Sequence, residues 1–252
     1  MQQIYDEWLA FFNSDAKFAY RYSSESGGGY YGPDVSETAK GHSVRDLKEF
    51  FHVYLSGKYP VEVSDAALQY RDQATDLALT LLGWVEAQTP PEIAQRYTRP
   101  LNEMMIGSTR TLLRVLRYPP LSGNEPHDAV RAAAHEDINL LTVLPASNEP
   151  GLQVRDTSGN WHDVPCDFGS LAINCGDMLA LASGGFFPST THRVMNPTGS
   201  GATRSRLSLP LFLHPADDVV LANDRTALSF LTERLAELRS QDSTTTGPNS
   251  SV

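Results

Sequence analysis

Cysteine is the scarcest chemistry-bearing residue in this chain. Two in 252 residues, Cys166 and Cys175, stand nine positions apart, a spacing that fits neither a CxxC pair nor a zinc finger. Two small, half-buried thiols are expected, with no disulfide. No apolar run reaches the roughly 18 residues of a membrane-spanning helix. The start, Met1-Gln2-Gln3-Ile4-Tyr5-Asp6-Glu7, lacks the basic then apolar pattern of a secretory signal, so a cytoplasmic location with no membrane partner is expected. Positive charge is short as well. Twenty Lys and Arg against thirty Asp and Glu leave a net charge of −10, which excludes a general binder of phosphate backbones. No nucleic-acid partner is expected. The glycine run Gly27-Gly28-Gly29-Tyr30-Tyr31-Gly32 has no Gly-Lys-Ser/Thr ending, so it reads as a loop and not a phosphate cradle. Its tyrosines, Tyr30 and Tyr31, are candidates to face a substrate. There is no Ser-His-Asp arrangement and no internal repeat.

What is present divides the chain into zones. Residues 1–108 read mostly helical. Ile4, Trp8, Phe11 and Phe12 recur at helical spacing, and Ser64 can start a long helix through about Ala87 with Leu68, Leu77, Leu81 and Trp84 on one face. Asp46 to Tyr54 reads as a short helix or an extended segment. Residues 109–222 change to short apolar runs between turns, with strands expected at 112–118, 131–135, 139–144, 152–155, 161–164, 171–174, 178–182, 192–195 and 206–213. So many short strands suggest a barrel or a double-sheet jelly roll. A final helix is expected over 223–241, with Leu228, Leu231, Leu235 and Leu238 on one side. The Ser, Thr, Gly, Pro and Asn of 242–252 suggest a disordered tail.

Within the strand-rich zone, His135-Glu136-Asp137 offers an imidazole and a carboxylate two residues apart, which on a strand share one side. His192 follows 55 residues after Asp137, enough for a meander back. Two imidazoles and one carboxylate on one face of a metal leave the opposite face open, an arrangement suited to non-haem Fe(II). Arg206 then follows, with Ser208 two residues on. Glu136 and Arg193 should point away from the others. Asn174 and Asp177 flank a glycine and read as turn formers. His162 and His214 read as surface or structural, and Gln153 and Trp161 as structural.

The same residues sit in a longer series of motifs. Arg117-Tyr118-Pro119-Pro120, His135-Glu136-Asp137, Leu140-Leu141-Thr142-Val143-Leu144, Gly151-Leu152-Gln153-Val154, Ile173-Asn174-Cys175-Gly176-Asp177-Met178, Ser189-Thr190-Thr191-His192-Arg193-Val194 and Arg206-Leu207-Ser208 follow one another, with Phe212 and Pro215 behind. Their order and spacing resemble the isopenicillin N synthase-like family of 2-oxoglutarate- and Fe(II)-dependent oxygenases across residues 112–215.

The resemblance implies a mainly β core in a double-stranded β-helix, a distorted jelly roll, with an N-terminal helical region and a C-terminal helix. It implies His135, Asp137 and His192 as metal ligands. Arg206, Ser208 and Tyr118 would bind 2-oxoglutarate, and no other residue is expected to be catalytic. A guanidinium suits a carboxylate because its planar fork meets both oxygens. Phe212 would border the substrate pocket, with Phe186, Tyr30 and Tyr31 as further candidates. Fe(II), 2-oxoglutarate and O2 are implied, with ascorbate as a reductant. The implied reaction hydroxylates or desaturates a small molecule and releases succinate and CO2. Two alternatives stand beside it: a same-fold Fe(II) oxidase that does not consume 2-oxoglutarate, and a non-catalytic jelly-roll ligand-binding module. The sequence departs from the family in two places. Leu116 stands where an Asn is usual, and a first strand and helix ahead of the segment around Ile4 to Lys17 have no counterpart.

Overall fold

A computed structural model describes residues 1–23, 28–35 and 45–244, with the side chains of 239–244 excepted. The glycine run is therefore described only from Gly28, and the expected tail lies largely outside the described residues.

The chain opens with helix α1 (Gln2–Asn13), whose Trp8 and Phe12 are fully buried. Strands β1 (Gly29–Tyr31) and β2 (Glu49–Val53) follow, then the long helix α2 (Ala66–Ala87) and the short α3 (Pro91–Ala94). Trp8 meets Phe51 of β2 edge to face at 5.3 Å. Ring burial of this kind stabilises by roughly 1.5–3 kcal/mol per side chain. Helix α2 turns a different face inward from the one its leucines suggest. Ala67, Ala74, Ala78 and Leu82 are buried, whereas Trp84 is 63% exposed. Small residues let the helix lie close against the sheet, and Leu68, Leu77 and Leu81 flank that contact.

From β3 (Leu112–Tyr118) onward the chain alternates between two antiparallel sheets. It passes through β4 (Ala132–His135), β5 (Leu141–Pro145), β6 (Leu152–Arg155), β7 (Trp161–Asp163), β8 (Leu171–Cys175), helix α4 (Asp177–Ala182), β9 (His192–Val194), β10 (Arg206–Ser208) and β11 (Leu211–Leu213). The major sheet has the order β1-β2-β3-β11-β5-β8, with β10 also paired to β3. The minor sheet runs β4-β9-β6-β7. This is the distorted jelly roll. A two-stranded ribbon of β12 (Val220–Ala222) and β13 (Arg225–Thr226) leads into the last helix, α5 (Ala227–Thr244).

Three expectations change. Residue 109 is not a structural break, because β2 pairs with β3 along its whole length, from Glu49↔Arg117 to Val53↔Leu113. All five β2 residues are buried, Glu49 and His52 included, so no alternation marks it as a strand. Met178–Ala182 is a helical turn and not a strand. Met178, Leu179 and Ala182 are its buried residues, a helical spacing that so short a run cannot distinguish from a strand. In α5 it is Ala227 and Phe230 that are buried, with Leu228 and Leu235 exposed.

The major sheet has two unlike faces. Leu113, Val115, Val143 and Leu211 look outward into the helical layer. Arg114, Leu116 and Tyr118 alternate with them along β3 and look inward, as do Thr142, Leu144, Ala172 and Asn174. The space they enclose with the minor sheet is a cavity of about 260 Å³.

Candidate metal and carboxylate site

His135 ends β4 and pairs across the minor sheet with His192, the first residue of β9. Their ring centroids are 4.3 Å apart. Asp137 lies just beyond the strand, in the loop to β5, and the same-side expectation is met by that loop rather than by strand alternation. His135, Asp137 and His192 each present one ligand atom, and these atoms lie within 4.8 Å of one another. The loop is held by its backbone, with Asp177 N–H donating to the Asp137 carbonyl at 2.8 Å and Gly176 N–H to that of Leu140 at 3.0 Å. A Cβ at Gly176 would lie 2.2 Å from the Asn139 carbonyl oxygen and 2.8 Å from that of Asp137. Only glycine lets the two segments approach this closely.

The hydrogen bonds leave one coordinating atom per residue. His135 Nδ1 lies 2.7 Å from the Ala133 carbonyl and His192 Nδ1 lies 3.0 Å from that of Thr190. A carbonyl can only accept, so each Nδ1 carries the proton and each Nε2 keeps its lone pair. Asp137 Oδ2 accepts from the Thr142 hydroxyl at 2.6 Å and from the Asn174 amide at 2.9 Å. Its Oδ1 turns toward His192 Nε2, 3.7 Å away. Asn139 supports the arrangement by donating to Thr142 Oγ1 at 3.0 Å.

Electrostatics agree with this donor set. Burial, then the neighbouring His192, hold His135 down to about 4. Burial pushes the Asp137 carboxyl up, but His192, His135, Asn174 and Thr142 together outweigh it and the net shift is downward. At neutral pH the site holds a neutral His135 imidazole and a carboxylate, the forms that bind a metal. A divalent ion that favours N and O donors with open positions fits these residues.

The other end of the cavity is cationic. Pairing of β10 with β3 sets Arg206 opposite Tyr118 and Ser208 opposite Leu116. Arg206 is 2% exposed, its guanidinium lies 5.5 Å from the Tyr118 ring, and Nε donates to the Glu149 carbonyl at 3.0 Å. Its Nη1 is buried with no partner among the described residues. A buried donor aimed at nothing is costly, and a ligand carboxylate would complete it. Burial also raises the Tyr118 hydroxyl above its ordinary range, against the pull of Arg206, so it stays protonated and able to donate.

Phe212 lines the cavity. The other substrate-pocket candidates do not. Tyr30 is buried on the outer side, donating to Glu49 Oε2 at 2.6 Å. Tyr31 stacks on Phe50 at 4.7 Å, outside the lining. Neighbours on a strand face opposite sides, so the two tyrosines could not both have faced it. Phe186 is 46% exposed and packs edge-on against Phe187. Several residues point away from the site. Glu136 accepts from the Thr191 hydroxyl. Arg193 donates to Gln153 at 2.9 Å and covers the Trp161 ring at 4.0 Å. Arg204 pairs with Glu149 at 2.7 Å, and His162 meets Asp156 at 2.7 Å on the surface. Asn174 corrects the turn-former reading, because it stands on β8 opposite Thr142. Lys48 and Arg114 also line the cavity; no motif pointed to either. Both cysteines are free thiols.

Comparison with known proteins gives the same answer by another route. The sequence profile of the 2OG-Fe(II) oxygenase superfamily matches residues 110–215. Gibberellin 3-beta-dioxygenase 1 of Arabidopsis thaliana is 41% identical over 111 residues, 44% of this chain and 29% of that one. Feruloyl CoA ortho-hydroxylase 2 of the same plant is 30% identical over 164 residues, 65% of this chain and 42% of that one. The chain thus spans less than half the length of these relatives. A crystal structure of a candidate oxygenase from Shewanella oneidensis is 51% identical, covers 94% of this chain and 85% of its own, and superposes with a TM-score of 0.83. One from Caulobacter crescentus, a candidate 2OG-Fe(II) oxygenase family protein, is 29% identical, covers 94% and 86%, and has a TM-score of 0.71. These relatives lend no weight to the oxidase or non-catalytic alternatives. With the fold, the matched segment and the His-Asp-His cluster in agreement, the chain belongs to the 2OG-Fe(II) oxygenase superfamily.

Proposed function

We propose that the chain is an Fe(II)- and 2-oxoglutarate-dependent oxygenase that hydroxylates or desaturates a small molecule. The observation that carries this reading is the donor set. Two imidazoles with Nδ1 held by carbonyls and one carboxylate with Oδ2 held by Thr142 and Asn174 leave three atoms for one metal. In this reading His135, Asp137 and His192 hold Fe(II), and Arg206, Ser208 and Tyr118 hold the remote carboxylate of 2-oxoglutarate. Fe(II) with 2-oxoglutarate supplies oxygen activation for attack on a C–H bond, with release of succinate and CO2.

The protein's own contribution is placement and exclusion of water. Arg206 and Ser208 share one strand face, so both reach a carboxylate at that end of the cavity. Leu116, Leu152, Val194 and Phe212 keep the space between the two ends apolar. A small-molecule substrate suits a cavity of about 260 Å³.

Anaerobic protein loaded with Fe(II) and 2-oxoglutarate should show a visible metal-to-ligand charge-transfer band. That band should be absent in His135→Ala and weakened in Arg206→Leu. Admission of oxygen should yield succinate, faster with a true substrate. A folded wild-type protein that binds Fe(II) but gives neither band nor succinate would overturn the reading.

A further inference from the structure

Arg131 is the least compensated charge among the described residues. It immediately precedes β4 and has no exposed surface. Nη2 donates to the Arg204 carbonyl at 2.9 Å, while Nε and Nη1 have no partner among the described residues. No carboxylate lies within ion-pair distance of it among the described residues. A buried guanidinium without an anion is destabilising, and an apolar side chain of the same volume would avoid that cost. A purely structural role does not account for it.

Its surroundings point to an anion that is not part of the chain. Arg131 has its pKa lowered, by burial first and then by the positive charge of Arg206. Burial lowers Arg206 as well, and for each arginine Tyr118 and then, more weakly, Glu149 oppose the shift, yet the Glu149 carboxylate is already taken up at 2.7 Å by Arg204. Of the three guanidiniums Arg131, Arg204 and Arg206, only Arg204 pairs with that carboxylate among the described residues. Tyr118 lies against Arg206, and Ala132, next to Arg131, packs in the same cluster as Tyr118, Leu116 and Val194. The bond from Arg131 to the Arg204 carbonyl also ties the start of β4 to the segment entering β10, two residues before Arg206.

We propose that Arg131 is a positioning residue for the remote carboxylate of a 2-oxo dicarboxylic acid, a second positive charge behind Arg206 that makes the cavity prefer dicarboxylic over monocarboxylic 2-oxo acids. This rests on the reading of Arg206 as the carboxylate anchor. Binding of the dicarboxylate brings the missing negative charge to the cluster. A 2-oxo acid without the second carboxylate chelates a metal equally well and leaves the cluster uncompensated.

Anaerobic Fe(II)-loaded protein titrated with 2-oxoglutarate and with 2-oxobutyrate, each followed by its charge-transfer band, tests the proposal. In Arg131→Met the 2-oxoglutarate affinity should fall tenfold or more, while that for 2-oxobutyrate changes less than twofold. Arg131→Lys should recover to within threefold of wild type. Should Arg131→Met not fold, Arg131→Gln, which keeps a donor for the Arg204 carbonyl, carries the same expectation. Equal losses for the two acids would mean a structural role only, and an unchanged 2-oxoglutarate affinity would remove Arg131 from binding; either overturns the proposal. Failure of the underlying reading looks different: no band in the wild type, or Arg206→Leu with 2-oxoglutarate affinity intact.

Discussion

The two ends of the cavity are finished to different degrees. At the His135 end the polar atoms that hold the ligand set are paired, and Asn139 Oδ1 alone among those supporting side chains is buried without a partner among the described residues. Both Nδ1 atoms face carbonyls, Asp137 Oδ2 takes two donors, and Thr142 is itself held by Asn139. At the Arg206 end, Arg206 Nη1 and Arg131 Nε and Nη1 are buried without partners among the described residues. The first end orients its ligand atoms before anything binds, so little ordering cost remains. The second stores an electrostatic debt that only an anion relieves, which couples its stability to ligand.

Replacing Arg206 tests that contrast most strongly. Arg206→Leu should weaken 2-oxoglutarate by roughly 100-fold or more, since a buried charged hydrogen bond is worth about 2–5 kcal/mol. The same substitution should leave the melting temperature of the ligand-free protein unchanged or raise it, because an apolar side chain replaces an unpaired buried charge. Thermal melts with and without 2-oxoglutarate check both halves. A ligand-free protein several degrees less stable would show that the arginine is already compensated, and the contrast would fail.

At the metal end the expected effects are reversed in kind. Thr142→Val and Asn174→Leu each remove a donor to Asp137 Oδ2, and each should lower Fe(II) affinity by about 10- to 100-fold. Both should also destabilise the metal-free protein, because the buried carboxylate loses a partner. Metal titration and melting curves on the same preparations measure this. Loss of metal affinity without loss of stability would mean that the supporting shell is looser than its distances suggest.

How much of this was legible in the sequence follows from how local each signal is. His135, Asp137, His192 and Arg206 lie in short ordered motifs, and the shape of the site could be anticipated from their spacing. Thr142 and Asn174 act on Asp137 through the β5–β8 pairing, a contact between residues 32 positions apart. Nothing in the Asn174-Cys175-Gly176 stretch distinguishes that role from a turn. Arg131 was silent for the same reason, because burial of a charge is a property of packing. Tyr30 was misread differently: alternation separates two faces of a strand but does not say which one meets the cavity. Strand β2 was ambiguous because it buries Glu49 through Lys17 and Arg117 at 3.0 and 2.7 Å, which hides the apolar signature of a central strand.

A smaller effect separates the hydroxyl beside Arg206 from the guanidinium. Ser208 shares the strand face of Arg206 and is 5% exposed. Ser208→Ala should reduce 2-oxoglutarate affinity about fivefold, the worth of roughly 1 kcal/mol for a neutral hydrogen bond. It should leave Fe(II) affinity untouched, as metal titration would show. An effect as large as that of Arg206→Leu would move the anchor to the serine.

Acid titration of the metal-free protein reads the finished end on its own, and its sign is fixed by two histidines. His135 is lowered to about 4 by burial and then by His192, and His214 to about 4 chiefly by burial. Unfolded, both would titrate near 6.5. Between about 4 and 6.5 the unfolded chain therefore holds more protons than the folded one, and stability rises with pH across that window and levels off above it. Asp137, whose carboxyl is lowered, adds a loss on acidification that sets in as pH falls through the ordinary carboxylate range and continues down to its own lowered value. Melting temperatures should consequently fall as pH drops from 7 toward 4, and His135→Asn should flatten part of that slope while leaving the remainder to His214. Bound Fe(II) should steepen the fall, since protons and metal compete for the same nitrogen lone pairs. A flat profile from pH 7 to 4 in the metal-free protein would mean that these imidazoles are solvated, and the finished end of the cavity would then be as incomplete as the other.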